Sequence, residues 1–190
     1  IPNGIETTNS STTYQNTMIW VGALTTFKGL PSVIGTIANI SSTFGWRFIV
    51  VGDGPHRANL ELLYPHVDFV GYQDPSPYYK EASILIVSSI GYENFPTVIL
   101  EGMQHGLCIV GHNLGGIAEL IRHNETGILY NSVDSLAEHL QLLLGNHKQI
   151  RQLGSSAKSM FSRKYDWDIC FNRYLNLYRE MISNSYLNNN

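Results

Sequence analysis

Charge is scarce in this sequence: Asp, Glu, Lys and Arg make up only 14% of its 190 residues, and 12 basic against 15 acidic side chains leave a net charge near −3. A surface made for nucleic acid or for an anionic bilayer needs clustered Lys and Arg, and the totals argue against one. Cysteine is scarcer still. Cys108 and Cys170 lie far apart and form no metal-ligand spacing, so free thiols in a reducing compartment are the favoured reading, with one disulfide left open. Long hydrophobic runs are missing too, since none approaches the roughly 18–20 residues that span a bilayer. The chain opens IPNGIETTNS, with neither the basic start nor the apolar core of a signal peptide. It begins with Ile1 and not with Met, which leads us to expect a piece of a longer protein, cytoplasmic by these absences.

What is present is enough for one globular domain with a proper core: 43% of the residues are apolar, far from the signature of disorder. After sixteen residues rich in Ser, Thr and Asn, read as a linker (1–16), short apolar runs alternate with helical spacing. MIWVGAL, WRFIVVG, VDFVG, SILIVSS, LCIVG and GILY read as six strands. Between them, LPSVIGTIANISSTF, HRANLELLY, PSPYYKEA, TVILEGMQHG and GGIAELI read as helices. From 133 onward only helices are expected, ending in WDICFNRYLNLYREMI with apolar residues at helical spacing. The domain is expected over 17–184, with a frayed tail at 185–190. Strands that are continuous apolar runs separated by helices give a parallel sheet covered on both faces. Ligands in such sheets sit beyond the carboxyl ends of the strands.

Several motifs weigh less than they first suggest. VVGDGPHR offers Gly52 and Gly54 after a strand, but Arg57 stands where a dinucleotide fingerprint needs its third glycine; a tight strand-to-helix turn is the better reading. In DWD, Asp166 suits a helix cap and Asp168 a positive first turn, so no metal is implied. His105 suits the C-terminal end of a helix, and His112, which follows a strand and could line a ligand cleft, reads better as a solvated loop residue. The constellation that remains is Lys28, Glu93 and Glu101. Lys28 precedes one helix and YENFP another, and helix N-termini with a lysine suit a diphosphate. Carboxylates repel phosphate, so Glu93 and Glu101 would accept hydrogen bonds from paired hydroxyls. A nucleotide-sugar satisfies all three.

These residues resemble the C-terminal half of a GT-B glycosyltransferase, specifically the retaining family 4 (glycosyl transferases group 1). IPNGIE is similar to the family's PNGVD, VGALTTFKG to GRL…KG, VVGDGP to VGDGP, and VDFVGY to its V.F.G strand. SSIGYENFPTVILEGMQHGLCIVG resembles the block PS..E.FP..LLEAMA.G.PVV, which makes Glu93 and Glu101 its E-x7-E pair. GGIAELI and ETGILY complete an ordered set that runs through nearly the whole chain.

The resemblance implies a Rossmann-like domain of six parallel strands with a helical C-terminal extension, and an acceptor-binding N-terminal domain outside this sequence. It implies a hexosyltransferase working on a UDP- or GDP-linked donor without cofactor or metal. The acceptor would be a glycan or a lipid-linked sugar, as in surface polysaccharide synthesis, and the full-length enzyme would sit at the inner face of the membrane. Glu93 would hold hexose hydroxyls, Glu101 the ribose, and Lys28 the leaving diphosphate. Asn94, Phe95, Pro96 and Thr97 would border sugar and diphosphate. Gly22 would flank them, and Gly71, Tyr72 and Gln73 the nucleobase. Ala23 departs from the pattern, because the family places a second diphosphate-binding cation, Arg, there. A nucleotide-sugar epimerase, a phosphorylase-like enzyme and a degenerate binding module are the alternatives. The isolated piece is expected to transfer little or no sugar.

Overall fold

A computed structural model describes residues 2–7 and 14–187. Its sheet contains β1 (Thr17–Val21), β2 (Arg47–Val51), β3 (Asp68–Gly71), β4 (Ile84–Val87), β5 (Cys108–His112) and β6 (Gly127–Tyr130). All five pairings are parallel, in the order β3-β2-β1-β4-β5-β6. The expected six strands and their direction are therefore present.

Burial on both faces explains why the inner strands read as nearly continuous apolar runs, whereas the edge strand β3 is only partly buried. Side chains alternate across a strand, and here both sets meet a core. Met18, Trp20, Phe48, Val50, Ile84 and Ile86 face one side, packed under α1 (Leu30–Thr43) and α6 (Val133–Leu144). Ile19, Ile49, Val51, Leu85 and Val87 face the other. That second side is covered by α4 (Thr97–Gln104), α5 (Gly115–Leu120) and α7 (His147–Lys164), through residues such as Leu100, Met103, Ile117, Ala157 and Phe161. Two short helices, α2 (Arg57–Leu63) and α3 (Ser76–Glu81), complete the alternation. Cys108 and Cys170 are free and buried, and burial alone pushes the Cys108 thiol up to about 12.

The last helix, α8 (Trp167–Leu187), runs three residues beyond the expected boundary at 184, and residues 188–190 lie outside the described residues. Trp167, Phe171, Tyr178 and Met181 on α8 are exposed, although their helical spacing is that of a buried stripe. Within the expected linker, Ile5 lies beside the α7–α8 junction, donating to the Tyr165 carbonyl (3.2 Å) and accepting from the Trp167 N–H (3.1 Å). Residues 8–13 of that segment lie outside the described residues. Among the described residues no helix is long and apolar enough to cross a membrane.

Candidate functional site

Strand order turns around between β1 and β4: from β1 the chain steps outward to β2 and β3, then returns to β4 on the other side. Loops leaving the carboxyl ends of such neighbours diverge and open a crevice. The loop after β1 carries Gly22, Ala23 and Lys28; the loop after β4 carries Glu93 to Pro96. Between them lies a cavity of about 490 Å³, within the ordinary range for a small-molecule site.

The three side chains singled out from the sequence converge on this cavity. Lys28 Nζ donates to Glu93 Oε1 at 3.0 Å, and the Ser89 hydroxyl donates to the same oxygen. Tyr79 donates its hydroxyl to Glu101 Oε2 at 2.8 Å. Each carboxylate thus commits one oxygen to the protein, while Glu93 Oε2 and Glu101 Oε1 accept no hydrogen bond from the described residues. Two fixed acceptors left over at one rim are what paired ligand hydroxyls require.

Tyr79 was not singled out as a site residue, because nothing in the helical segment PSPYYKEA marks it as one. It is 1% exposed, and burial first, then the Glu101 charge, holds its phenol far above the usual range. The phenol therefore stays a donor. Tyr79→Phe leaves a Glu101 oxygen without its hydrogen bond, and we expect it to lower unfolding free energy by about 1–2 kcal/mol. Urea unfolding measures this; a midpoint identical to that of the parent chain would show that the hydroxyl does not hold Glu101.

Backbone crossings fix the loops. Ser88 Oγ accepts from Trp20 Nε1 (2.9 Å) and donates to the Lys28 carbonyl (2.8 Å), so the buried indole and the lysine loop share one hydroxyl. The Gly116 N–H donates to the Glu93 carbonyl at 2.7 Å. A Cβ on Gly116 would lie 2.2 Å from the Asn94 carbonyl oxygen, so GGI is the pattern that lets α5 press against the Glu93 loop. His112 is the last residue of β5, its Nδ1 2.9 Å from the Ser89 carbonyl and its ring stacked on Tyr130. The expectation of a solvated loop histidine is corrected accordingly: the strand extends one residue further, and packing claims the ring.

Of the residues singled out from the sequence, Gly22, Lys28, Tyr72, Gln73, Glu93, Phe95, Pro96, Thr97 and Glu101 line the cavity, and so does Ala23. Gly71 and Asn94 do not line it. Gly71 turns its carbonyl to the Gly52 N–H (2.8 Å), and Asn94 turns its own toward Gly116. Tyr72 is 90% exposed at the rim, while Gln73 is held by Val70 O (2.5 Å) and the Tyr78 hydroxyl (2.9 Å). Val51, Gly52, Asp53, Pro75 and Val98 line the cavity without a role foreseen for them. The only signal was their place at strand ends and at a helix start.

The discounted motifs are structural. Asp53 accepts from the Gly54 N–H (2.7 Å) and from Arg57 (3.1 Å), and these two contacts hold its carboxyl below the usual range. VVGDGPHR is thus a strand-to-helix turn clamped by Arg57. Asp166 accepts from the Asp168 N–H at 3.0 Å, across the first turn of α8. His105 closes α4 with Nδ1 2.9 Å from the Glu101 carbonyl. Among the described residues no group of three or more His, Cys, Asp or Glu is placed to hold a metal ion.

A family model described as glycosyl transferases group 1 matches residues 15–146. An exopolysaccharide phosphotransferase of Streptomyces coelicolor is 34% identical over 149 residues, covering 73% of this chain and 16% of that protein. An uncharacterized glycosyltransferase of Methanocaldococcus jannaschii is 30% identical over 173 residues, covering 85% and 44%. The crystal structure of Anabaena HepE in complex with UDP superimposes with a TM-score of 0.77 at 20% identity, over 86% of this chain and 48% of that one. The chain therefore spans less than half the length of each of these three proteins.

Proposed function

The chain belongs to the glycosyl transferases group 1 family, and from that membership we propose that it is the donor-binding half of a two-domain sugar transferase. Its six-stranded parallel sheet with flanking helices and a helical extension is the architecture of GT-B C-terminal Rossmann-like domains. The reaction we assign is transfer of a hexose from a nucleoside diphosphate to a glycan or lipid-linked acceptor, with retention at the anomeric carbon as in family 4. An N-terminal domain supplies the acceptor side, the exposed apolar face of α8 packs against it, and residues 1–16 belong to the junction. The whole enzyme works at the cytoplasmic face of the membrane. By this reading the chain alone binds donor but transfers little sugar.

One observation carries the proposal: Lys28, Glu93 and Glu101 open onto a single cavity beyond the carboxyl ends of parallel strands, with one oxygen of each carboxylate free of hydrogen-bond partners among the described residues. Glu101 Oε1 accepts from ribose hydroxyls and Glu93 Oε2 from those of the hexose. As the bond from the anomeric carbon to the β-phosphate oxygen breaks, negative charge grows on the diphosphate. The Lys28 ammonium, already oriented by Glu93, stabilises that charge most in the transition state. Backbone N–H groups of Phe95 and Thr97 flank the phosphates, since Pro96 has none to give. HepE is described in complex with UDP, which makes UDP and UDP-glucose the first ligands to test.

Calorimetry separates the two carboxylates. Glu101→Ala should weaken UDP and UDP-glucose alike, by about 10-fold or more, because the loss falls on the ribose both share. Glu93→Gln should leave UDP within about threefold and weaken UDP-glucose by about 10-fold. Equal losses of both ligands in Glu93→Gln would remove the hexose from its role, and full UDP affinity in Glu101→Ala would remove the ribose.

A further inference from the structure

The net charge near −3 conceals a strongly basic face. Over its 18 residues α7 reads HKQIRQLGSSAKSMFSRK, five lysines and arginines with no acid. Its inner side is core, so the cations lie on the solvent side with the serines. On one flank, α7, the turn between α5 and β6 and the start of α8 enclose a groove of about 800 Å³ that shares no residue with the cavity between β1 and β4. Arg122, Arg163, Lys164 and Arg173 line it, joined by Gln152 and Ser159, with Glu125 the lone carboxylate among its described lining residues.

Two arginines elsewhere are each offset by a pair of carboxylates, which the groove cations are not. Arg47 meets both Asp68 and Glu81, and Arg57 meets both Asp53 and Glu61. In the groove, Arg122 has only a 3.6 Å approach to Glu125 across exposed side chains. Arg163 donates through Nε to the Ser159 carbonyl (3.2 Å), and Lys164 sits 5.0 Å above the Tyr165 ring. Arg163, Lys164 and Arg173 meet no carboxylate within ion-pair distance among the described residues. Like charges held together in a concave wall repel one another and focus a positive potential, and the described lining supplies a single acid, Glu125, to offset four of them.

We propose that this groove binds an acidic glycan, a sugar chain bearing carboxylate or phosphate groups, at a place separate from the site of transfer. Guanidinium forks match carboxylate and phosphate oxygens, and the serine hydroxyls and Gln152 match the sugar hydroxyls between them. A bilayer fits less well. A plane of headgroups does not enter a concave groove, the one large apolar side chain in the lining, Met160, is buried, and the exposed apolar side chains of α8 lie outside the lining. The proposal stands independently of the donor-site reading.

The test is titration of the 190-residue chain with a galacturonate tetramer, a neutral dextran tetramer and phosphatidylglycerol vesicles. The double variant R163Q/R173Q removes two charges from the groove. R151Q/K158Q removes two from the other flank of the same helix, and neither Arg151 nor Lys158 lines the groove. We expect the galacturonate tetramer to bind, to weaken at least about tenfold in R163Q/R173Q, and to change less than about threefold in R151Q/K158Q. Raising salt from about 0.05 M to about 0.5 M should weaken it as well. No binding of the galacturonate tetramer at low salt overturns the proposal. So does equal loss in both double variants, which would reduce the effect to net charge. Equal affinity for neutral dextran removes the acidic groups from recognition, and vesicle binding lost in R163Q/R173Q while galacturonate fails makes the partner a membrane.

Discussion

Lys28→Ala should weaken UDP binding by about 10- to 100-fold, the loss of one charge-assisted contact of about 1.5–3 kcal/mol. UMP should be affected far less, since it lacks the second phosphate. Lys28 is the only cation among the described residues lining the cavity, against Asp53, Glu93 and Glu101. Asp53 is neutralised by Arg57 (3.1 Å), but the other two carboxylates are not offset by anything else in the lining. The dependence is heavier than the family pattern implies, because Ala23 stands at the exposed mouth where a second cation is usual. Removing Lys28 also leaves Glu93, whose side chain is 13% exposed, with only the Ser89 hydroxyl on its bound oxygen. In the whole enzyme, turnover should fall further than binding, by about 10²–10³, because the interaction strengthens as charge reaches the diphosphate. Calorimetry with UDP and UMP on the parent and variant chains decides the matter: equal losses, or none, would detach Lys28 from the diphosphate.

How much of this was legible in the sequence depended on whether a signal was local. The central strands showed themselves most clearly because both of their faces are buried, so Ile84 to Val87 is apolar at every position, whereas the edge strand β3 is only partly buried from Asp68 to Val70. The site loops followed, since in a parallel sheet they leave the strands at one end. Long-range pairing left no such trace. Nothing in the sequence says that Lys28 and Glu93, 65 positions apart, share an ion pair, or that Ser89 donates to the same carboxylate. Nothing in its own segment marks Tyr79, and its hydroxyl matters only because the ring is packed against α4. Asn94 was assigned with its neighbours by the family resemblance, whereas contact with Gly116, which leaves the Asn94 carbonyl oxygen 2.2 Å from an added Cβ there, is a long-range feature that no local pattern announces. The groove on α7 was hidden by addition: acids elsewhere cancel its cations in the total, although the acid-free stretch stands in plain view.

Gly29→Ala should be a severely damaging single methyl near the site, lowering unfolding free energy by about 2–5 kcal/mol against a typical total of 5–15. Two costs add. Gly29 caps α1 at φ 73°, in the left-handed region, where an L-residue costs about 1–2 kcal/mol. Its added Cβ would also lie 1.9 Å from the Ser88 carbonyl oxygen, a backbone atom at the end of β4 that cannot swing aside; overpacking of this kind costs about 1–3 kcal/mol. Gly45 is the internal control. It has nearly the same backbone, φ 67°, but nothing within 4 Å of an added Cβ, so Gly45→Ala carries the conformational cost alone. Urea unfolding of the two variants isolates the close approach, and equal losses would show that it contributes nothing. The same crossing sets the Lys28 side of the cavity, because Gly29 follows Lys28 and Ser88 donates to the Lys28 carbonyl at 2.8 Å. A β4 end pushed away from this loop carries Lys28 off Glu93. At a temperature where the variant is still folded, Gly29→Ala should therefore lose UDP affinity in the same sense as Lys28→Ala, whereas Gly45→Ala, at the far end of α1, should keep it.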